Sequence, residues 1–192
     1  MLVSSSPRRQ ALLRQIGLEF HTFEPSVDES LDERLAPDAH TVAVARRKLS
    51  AFLSRELGEG SARWAVAADT VLWLDGEIIG KPADRSQART ILRRLSGRVH
   101  TVTTGLAVWN PSARVTSTDT ASTLVTFAAL DPLEIERYLD AQEWQGAAGG
   151  YRIQERGALL VEGIAGSYSN VVGLPIRTFY GMVAQQGYTL FP

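Results

Sequence analysis

The spacing of apolar residues changes along the chain, and each spacing predicts a helix or a strand. Helical spacing recurs from Thr41 to Leu57 and again over residues 88–95, where apolar positions fall at i, i+3, i+4 and i+7. A nearly continuous apolar run from Trp64 to Leu74 predicts a buried strand. Further helices are predicted over Leu133–Leu139 and after Pro175. Two long strands are predicted over Val99–Trp109 and Arg114–Ala128, and two shorter ones over Leu18–Phe23 and Ala158–Glu162.

A two-residue turn follows the apolar run. Asp75-Gly76 is typical of a tight β-hairpin, and in the register that it predicts Lys81 lies opposite Thr70. Lys81 is then one residue away from Asp69 along the pairing. Strict alternation puts the side chains of Asp69 and Lys81 on opposite faces of the sheet, whereas a bulge at Gly80 would put them on the same face. The pattern therefore predicts that the two residues are close together but does not determine whether their side chains share a face.

Helices alternate with strands over most of the chain, which predicts an α/β fold built on a long, twisted mixed sheet with helices packed on it. The 192 residues are enough for one domain with a real core, or for two lobes that share one sheet. We find no internal repeat and no low-complexity linker.

Composition and charge exclude several classes of function. A net charge of −1 argues against nucleic acid and membrane surfaces as partners. No apolar run approaches the roughly 20 residues of a membrane span. The absence of cysteine excludes disulfides, thiolate catalysis and thiolate zinc sites, and the three histidines are scattered. We therefore expect a cytoplasmic protein in which any metal is a hard cation bound by oxygen ligands.

The basic residues are divided unequally, with 18 arginines and only two lysines, Lys48 and Lys81. Lysine carries a compact charge on a flexible stem, whereas arginine presents a wide planar fork. A site crowded against phosphate oxygens would retain lysine, although two lysines can also remain by chance.

The segment Ser4-Ser5-Ser6-Pro7-Arg8-Arg9 follows a short apolar pair and begins a helix. Ser6 suits the N-cap and Pro7 the first helical position, while Gly17 suits the helix end. The free N–H groups of a helix N-terminus attract anions, and three hydroxyls with two guanidiniums add to that attraction. The segment predicts either a phosphate pocket or an ordinary capped surface helix.

Asp69 interrupts an apolar strand, and a buried carboxylate is costly unless it is paired, hydrogen-bonded or bound to metal. One interpretation pairs Asp69 with an arginine. The other lets Asp69 and Glu29 bind Mg²⁺ or Mn²⁺ together with substrate phosphates, although Glu29 lies in a polar loop and is also explained by solvation. The chain has no P-loop, dinucleotide or zinc-protease motif and no nucleophile elbow. The remaining groups suit metal-assisted attack of water on a phosphoanhydride.

Motifs in order over nearly the whole chain resemble the Maf family of nucleotide pyrophosphatases. They are Ser4-x-Ser6-Pro7-Arg8-Arg9, Val27-Asp28-Glu29, Lys48, Ala68-Asp69-Thr70, Asp75-Gly76-Glu77 with Gly80-Lys81-Pro82, Leu95-Ser96-Gly97 with His100, Tyr151-x-Ile153-Gln154, and Val172-Gly173-Leu174-Pro175. Both lysines fall where the family pattern has lysine. The chain departs from that pattern at Ser5, and at Arg152 and Glu155, where glycines are more common.

The resemblance implies one domain over residues 1–192, with a Maf/inosine-triphosphatase-like fold, a deep cleft between two lobes, and a homodimer. It implies hydrolysis of a nucleoside triphosphate to the monophosphate and pyrophosphate with Mg²⁺ or Mn²⁺, and the family has been tied to septum formation. Arg8, Arg9, Lys48 and Lys81 would bind the triphosphate, with Ser4 and Ser6. Glu29 and Asp69 would position the metal and the attacking water, with Asp69 as base or metal ligand.

Thr70, Gln154 and Arg8 are similar to the branch of the family that acts on dTTP and UTP. Two alternatives stay open: a 7-methyl-GTP pyrophosphatase, and a nucleotide-binding regulator of cell division without turnover.

Overall fold

The computed structural model describes residues 1–30, 35–56 and 63–190. Within these residues a seven-stranded mixed sheet is flanked by helices, which confirms the predicted α/β fold class. The strands are β1 (Leu2–Val3), β2 (Thr22–Phe23), β3 (Ala65–Leu74), β4 (Glu77–Ile79), β5 (Val99–Asn110), β6 (Val115–Phe127) and β7 (Val161–Ala165). The helices are α1 (Pro7–Gln15), α2 (Pro37–Glu56), α3 (Arg85–Leu95), α4 (Pro132–Asp140), α5 (Tyr168–Val172) and α6 (Ile176–Gln185), with 3₁₀ turns at Ala148–Gly150 and Arg156–Leu160.

The strand order is β2-β1-β3-β5-β6-β7, with β4 paired to β3. β1 runs parallel to β2 and β3, whereas the β3–β4 and β6–β7 pairs are antiparallel. None of the described helices is both long and apolar enough to cross a membrane.

The predicted hairpin turn is confirmed, but its pairing stops short of Lys81. Asp75 and Gly76 have φ of 53° and 85°, which a two-residue turn of this kind requires. The paired register ends where Leu72 faces Ile79. The predicted register is confirmed over the paired residues. Lys81 lies beyond β4, so its position opposite Thr70 stays a prediction. The carbonyl of Gly80 instead accepts the backbone N–H of Gly149 at 3.0 Å, so the chain leaves the ladder there.

Two predicted strands differ from the structure because local hydrogen bonds take their backbone groups. The predicted strand Leu18–Phe23 shortens to β2, since the N–H of Leu18 bonds back to Leu13 in closing α1. The predicted strand Ala158–Glu162 is wrong over most of its length. There the N–H of Ala158 donates to the carbonyl of Glu155 at 3.0 Å, which winds a 3₁₀ turn, and β7 begins only at Val161.

The other predicted elements are confirmed to within a few residues. α2 begins at Pro37, before the predicted Thr41, and Leu57 lies outside the described residues. In α3 the residues at the predicted helical spacing are all buried: Ala88, Ile91, Leu92 and Leu95.

The chain divides into two compact units. The first comprises Met1–Asp69, Thr104–Ala121 and Gly173–Pro192. Its core joins α2 to the sheet through Val3, Ala45, Leu49, Phe52, Ala65, Ala67, Ala107 and Trp109. Gly105 allows this packing, because a Cβ there would lie 2.5 Å from the backbone of Thr41 and Val42. The second unit comprises Thr70–Thr103 and Ser122–Val172.

Within the second unit, α3 and α4 are joined by ion pairs. Glu136 accepts from both Arg85 and Arg89, and Arg85 also contacts Asp140 at 2.7 Å. The two guanidiniums lower the pKa of Glu136 to about 2.

Candidate active site

Two hydroxyls organise the turn between β1 and α1. The Oγ of Ser6 accepts the backbone N–H of Arg9 at 3.4 Å, with Pro7 at the first helical position, so the predicted cap is confirmed. Ser4 is buried, and its Oγ accepts from the N–H of Ser6 at 3.1 Å and from Nη1 of Arg9 at 3.3 Å. Each hydroxyl accepts within the chain and still carries a proton that it can donate to an anion.

Arg9 is fixed at a second point by the chain that follows α5. Its Nε donates to the carbonyl oxygen of Gly173 at 2.7 Å. Burial lowers the pKa of Arg9, while the charges of Asp69 and Glu29 act in the opposite direction. The guanidinium therefore lies within electrostatic range of both carboxylates. Arg8, in the same turn, is half-buried.

The ammonium group of Lys48 contacts two carboxylates. Its Nζ lies 2.8 Å from Oδ1 of Asp69 and 2.9 Å from Oε1 of Glu29. The Lys48 and Asp69 side chains are only 5% and 11% exposed, whereas that of Glu29 is 40% exposed. Asp69 is thus paired, as a buried carboxylate requires, but with a lysine from α2 rather than with the arginine of one interpretation. Glu29 reaches the same ammonium from its polar loop.

A short turn beside Glu29 shapes that loop. The carboxylate of Asp28 accepts the N–H of Ser30 at 2.8 Å and its hydroxyl at 2.9 Å. These hydrogen bonds lower the pKa of Asp28. Asp28 also lies 4.0 Å from Nη1 of Arg47, whereas Glu29 contacts Lys48.

Arg9, Lys48, Asp69 and Glu29 together carry two positive and two negative charges within the first unit. A charge-balanced cluster with one solvent-exposed carboxylate can bind an anion through its cations and accept a proton through its carboxylates.

Three of the predicted site residues belong to the second unit. Thr70 is half-buried and follows Asp69 directly along β3, while Lys81 is exposed beyond the end of β4. The Nε2 of Gln154 is buried and has no hydrogen-bond partner among the described residues. A buried amide donor without a partner is costly, so Gln154 is suited to a ligand that brings an acceptor.

A comparison with family models decides the family. The model described as Maf-like protein matches residues 1–186. This chain belongs to the Maf family. The membership confirms the resemblance, which depended on motifs spread between Ser4 and Pro175.

Curated relatives match this Maf chain over nearly its whole length. A protein of Pelotomaculum thermopropionicum is 40% identical over 190 residues, which cover 99% of this chain and 97% of the relative. A protein of Symbiobacterium thermophilum is 41% identical over 191 residues, covering 100% and 95%. One of Alkalilimnicola ehrlichii is 42% identical over 178 residues, covering 91% and 86%. All three relatives are named dTTP/UTP pyrophosphatase.

The structure brings together part of the residue set that the Maf motifs single out. In the first unit, direct contacts join Ser4 to Arg9, and Lys48 to Asp69 and Glu29. The carbonyl of Gly173, which accepts from Arg9, was not among the predicted site residues. Its only signal in the sequence is the motif Val172-Gly173-Leu174-Pro175.

His100 and Tyr151, which belong to two of the Maf motifs, are in contact inside the second unit. No role was assigned to either residue from the sequence. Nε2 of His100 lies 2.8 Å from the hydroxyl of Tyr151, and both rings make edge contacts with Phe127. Burial lowers the pKa of His100 to about 4 and raises that of Tyr151. His100 is therefore neutral in the folded protein at neutral pH.

The buried His100 predicts a pH-dependent stability. Between its ordinary pKa of 6.5 and about 4, the unfolded chain binds a proton that the folded chain does not, so stability is lost as pH falls through this window. We expect His100 to contribute a loss of about 2 kcal/mol between pH 7 and pH 5. Urea unfolding of wild type and His100→Gln at both pH values measures this difference. The exposed His21, replaced by glutamine, serves as control. An equal pH dependence in wild type and His100→Gln would contradict the assignment.

Proposed function

We propose that this Maf-family chain hydrolyses dTTP and UTP to the nucleoside monophosphate and pyrophosphate. The observation that carries the proposal is the contact of the buried Lys48 ammonium with both Asp69 and Glu29, two carboxylates whose charges also act on Arg9. The names of relatives that are 40% to 42% identical support the same activity.

In this proposal water attacks the α-phosphorus, and the bond from that phosphorus to the oxygen of the leaving pyrophosphate breaks. Asp69 accepts the proton of the water, because its Oδ1 is already fixed by Lys48 and its second carboxylate oxygen can face the substrate. Negative charge develops on the leaving pyrophosphate. We assign Arg8, Arg9 and Lys81 to stabilising that charge.

Lys48 has a double role in the proposal. Its ammonium compensates the two carboxylates and orients the oxygen atoms that they turn toward it. It also keeps a positive charge next to the site at which phosphate oxygens arrive. Ser4 and Ser6 donate their remaining hydroxyl protons to phosphate oxygens.

The chemistry of the carboxylates suits a divalent metal. Mg²⁺ and Mn²⁺ favour oxygen ligands, and Mg²⁺ is commonly bound by one or two carboxylates together with substrate phosphates. The described residues contain no group of three or more histidine, aspartate or glutamate side chains arranged to bind a metal, so phosphate and water would complete the coordination. Asp69 and Glu29 are the ligands that we propose. When bound, the metal would neutralise charge on the phosphates.

Thr70 and Gln154 are proposed to recognise the base. A uracil or thymine ring presents carbonyl oxygens that can accept from the buried Nε2 of Gln154, which has no partner among the described residues. Thr70 is short enough to leave room for the ring, and its hydroxyl offers another hydrogen bond. A site that hydrogen-bonds its substrate rejects ligands that leave those groups unpaired.

A nucleotide panel tests the proposal. We expect the protein with Mg²⁺ or Mn²⁺ to release pyrophosphate from dTTP and UTP with kcat/KM at least about a hundredfold above that for 7-methyl-GTP. Gln154→Ala should lower the ratio of kcat/KM for UTP to kcat/KM for 7-methyl-GTP by a larger factor than it lowers kcat/KM for 7-methyl-GTP itself. Gln185→Ala, which changes an exposed glutamine of α6, is the control.

Each alternative makes its own prediction on this panel. Preference for 7-methyl-GTP would overturn the assignment of Thr70 and Gln154. Tight nucleotide binding without pyrophosphate release would favour the regulator without turnover. The homodimer that the resemblance implies stays a proposal, which sedimentation measurements test.

A further inference from the structure

Gln154 lies inside a tight turn whose two ends are joined twice. The backbone N–H of Glu155 donates to the carbonyl of Arg152 at 3.2 Å, which places Gln154 at the third position of the turn. The side chains of the same two residues also meet, with Nη1 of Arg152 lying 3.3 Å from Oε2 of Glu155. The turn that carries the buried amide is therefore closed by a main-chain bond and an ion pair.

Arg152 also ties this turn to the rest of the second unit. Its backbone N–H donates to the hydroxyl of Tyr138 at 3.2 Å, and its Nη2 donates to the carbonyl of Gln145 at 2.8 Å. The preceding residue, Tyr151, is fixed by its contact with His100. The Arg152 side chain thus bonds to Gln145, before Gln154 in the chain, and to Glu155, directly after it. The position of Gln154 therefore depends on Arg152.

The chain that follows presses against the same turn. A Cβ at Gly157 would lie 2.4 Å from the carbonyl oxygen of Arg152, so only glycine fits at this approach. Gly157 therefore confines the backbone of the turn that contains Gln154. Of the two links across this turn, the ion pair is the one that a side-chain substitution can remove.

We propose that the Arg152–Glu155 ion pair is a positioning device that holds the Gln154 amide for base recognition and thereby sets nucleotide specificity. This inference rests on the proposed function and extends it to two residues that would act on the substrate through Gln154. The Arg152 and Glu155 side chains are 27% and 41% exposed, so the pair adds little to global stability. Its removal therefore loosens the turn, which keeps its main-chain bond, without unfolding the protein.

The test compares kcat and KM for UTP and GTP in wild type, Arg152→Ala, Glu155→Ala and the double variant. We expect each single variant to lower kcat/KM for UTP by about tenfold, mostly through KM, and to lower the UTP-to-GTP ratio by a similar factor. The double variant should lose no more than the worse single variant, because the two residues act as one pair. Glu155→Gln, which can still accept from Arg152, should retain most of the ratio.

Arg156→Ala is the matched control, since its side chain is 71% exposed and lies 3.7 Å from Glu143. Thermal unfolding reports on the fold of every variant. A wild-type ratio in the folded Arg152→Ala and Glu155→Ala variants would overturn the inference and leave the proposed function intact. Equal losses of kcat for both nucleotides with a lowered melting temperature would also overturn it, in favour of a structural role. Absence of turnover by the wild-type protein on any nucleotide would instead overturn the proposed function.

Discussion

Asp69→Asn is expected to lower kcat by about a hundredfold or more, because asparagine cannot accept the proton of the attacking water or supply a charged metal ligand. The shape of the side chain is nearly preserved, and the amide oxygen of asparagine can still accept from Lys48, whose Nζ lies 2.8 Å from Oδ1. The fold should therefore survive. Pyrophosphate release under saturating UTP measures kcat, and urea unfolding measures the stability of the fold.

The control is Asp119→Asn, an exposed aspartate of β6 whose carboxylate accepts only the next backbone N–H among the described contacts. A folded, fully active Asp69→Asn variant would remove Asp69 from the chemistry. An unfolded variant would mean that the contact with Lys48 serves stability first.

Lys48→Met is expected to have the second large effect, on stability and activity together. It removes the cation that contacts Asp69 and Glu29 and leaves the buried carboxylate of Asp69 close to a second carboxylate without that cation. Removal of one partner from a buried ion pair costs about 3–5 kcal/mol, and we expect the lower end because Glu29 is 40% exposed to solvent. Turnover should fall by about a hundredfold or more, since the base and the phosphate-facing charge are both disturbed.

Lys48→Arg separates charge from shape. It keeps the charge but puts a wide planar head where Nζ now lies 2.8 Å and 2.9 Å from two different carboxylates. We expect a loss of about tenfold in kcat/KM with a smaller loss of stability. Arg46→Met, which removes an exposed charge from the same helix, is the control. Wild-type activity in Lys48→Arg would mean that the scarcity of lysine is an accident of composition.

Local patterns predicted most of the elements, because the physics that they depend on is local. The spacing that predicted α3 matches the residues that the helix buries, and Asp75-Gly76 forms the turn that its backbone preference requires. The predicted strands Leu18–Phe23 and Ala158–Glu162 were each too long at their N-terminal end, for a different reason. Their backbone groups bond to neighbours in a helix end and a 3₁₀ turn, and apolar alternation does not report that competition.

For the candidate site, the sequence supplied candidate residues but not the contacts between them. A buried carboxylate at Asp69 implied a partner, yet that partner is 21 residues away on α2, and no motif spacing selects Lys48 over the 18 arginines. The same limit applies to Arg9 and Gly173, which are 164 residues apart. Contacts between residues so far apart in the chain depend on the order of the strands in the sheet and on where the helices pack against it. Local sequence patterns do not encode that arrangement.

Isotope labelling identifies the phosphorus that water attacks, which we propose to be the α-phosphorus. UTP is hydrolysed by the wild-type protein in water enriched in ¹⁸O, and the separated products are analysed for ¹⁸O by mass spectrometry. We expect one ¹⁸O atom in uridine monophosphate and unlabelled pyrophosphate, because the new bond forms at the α-phosphorus. Label in pyrophosphate, or release of orthophosphate with uridine diphosphate, would contradict attack at the α-phosphorus.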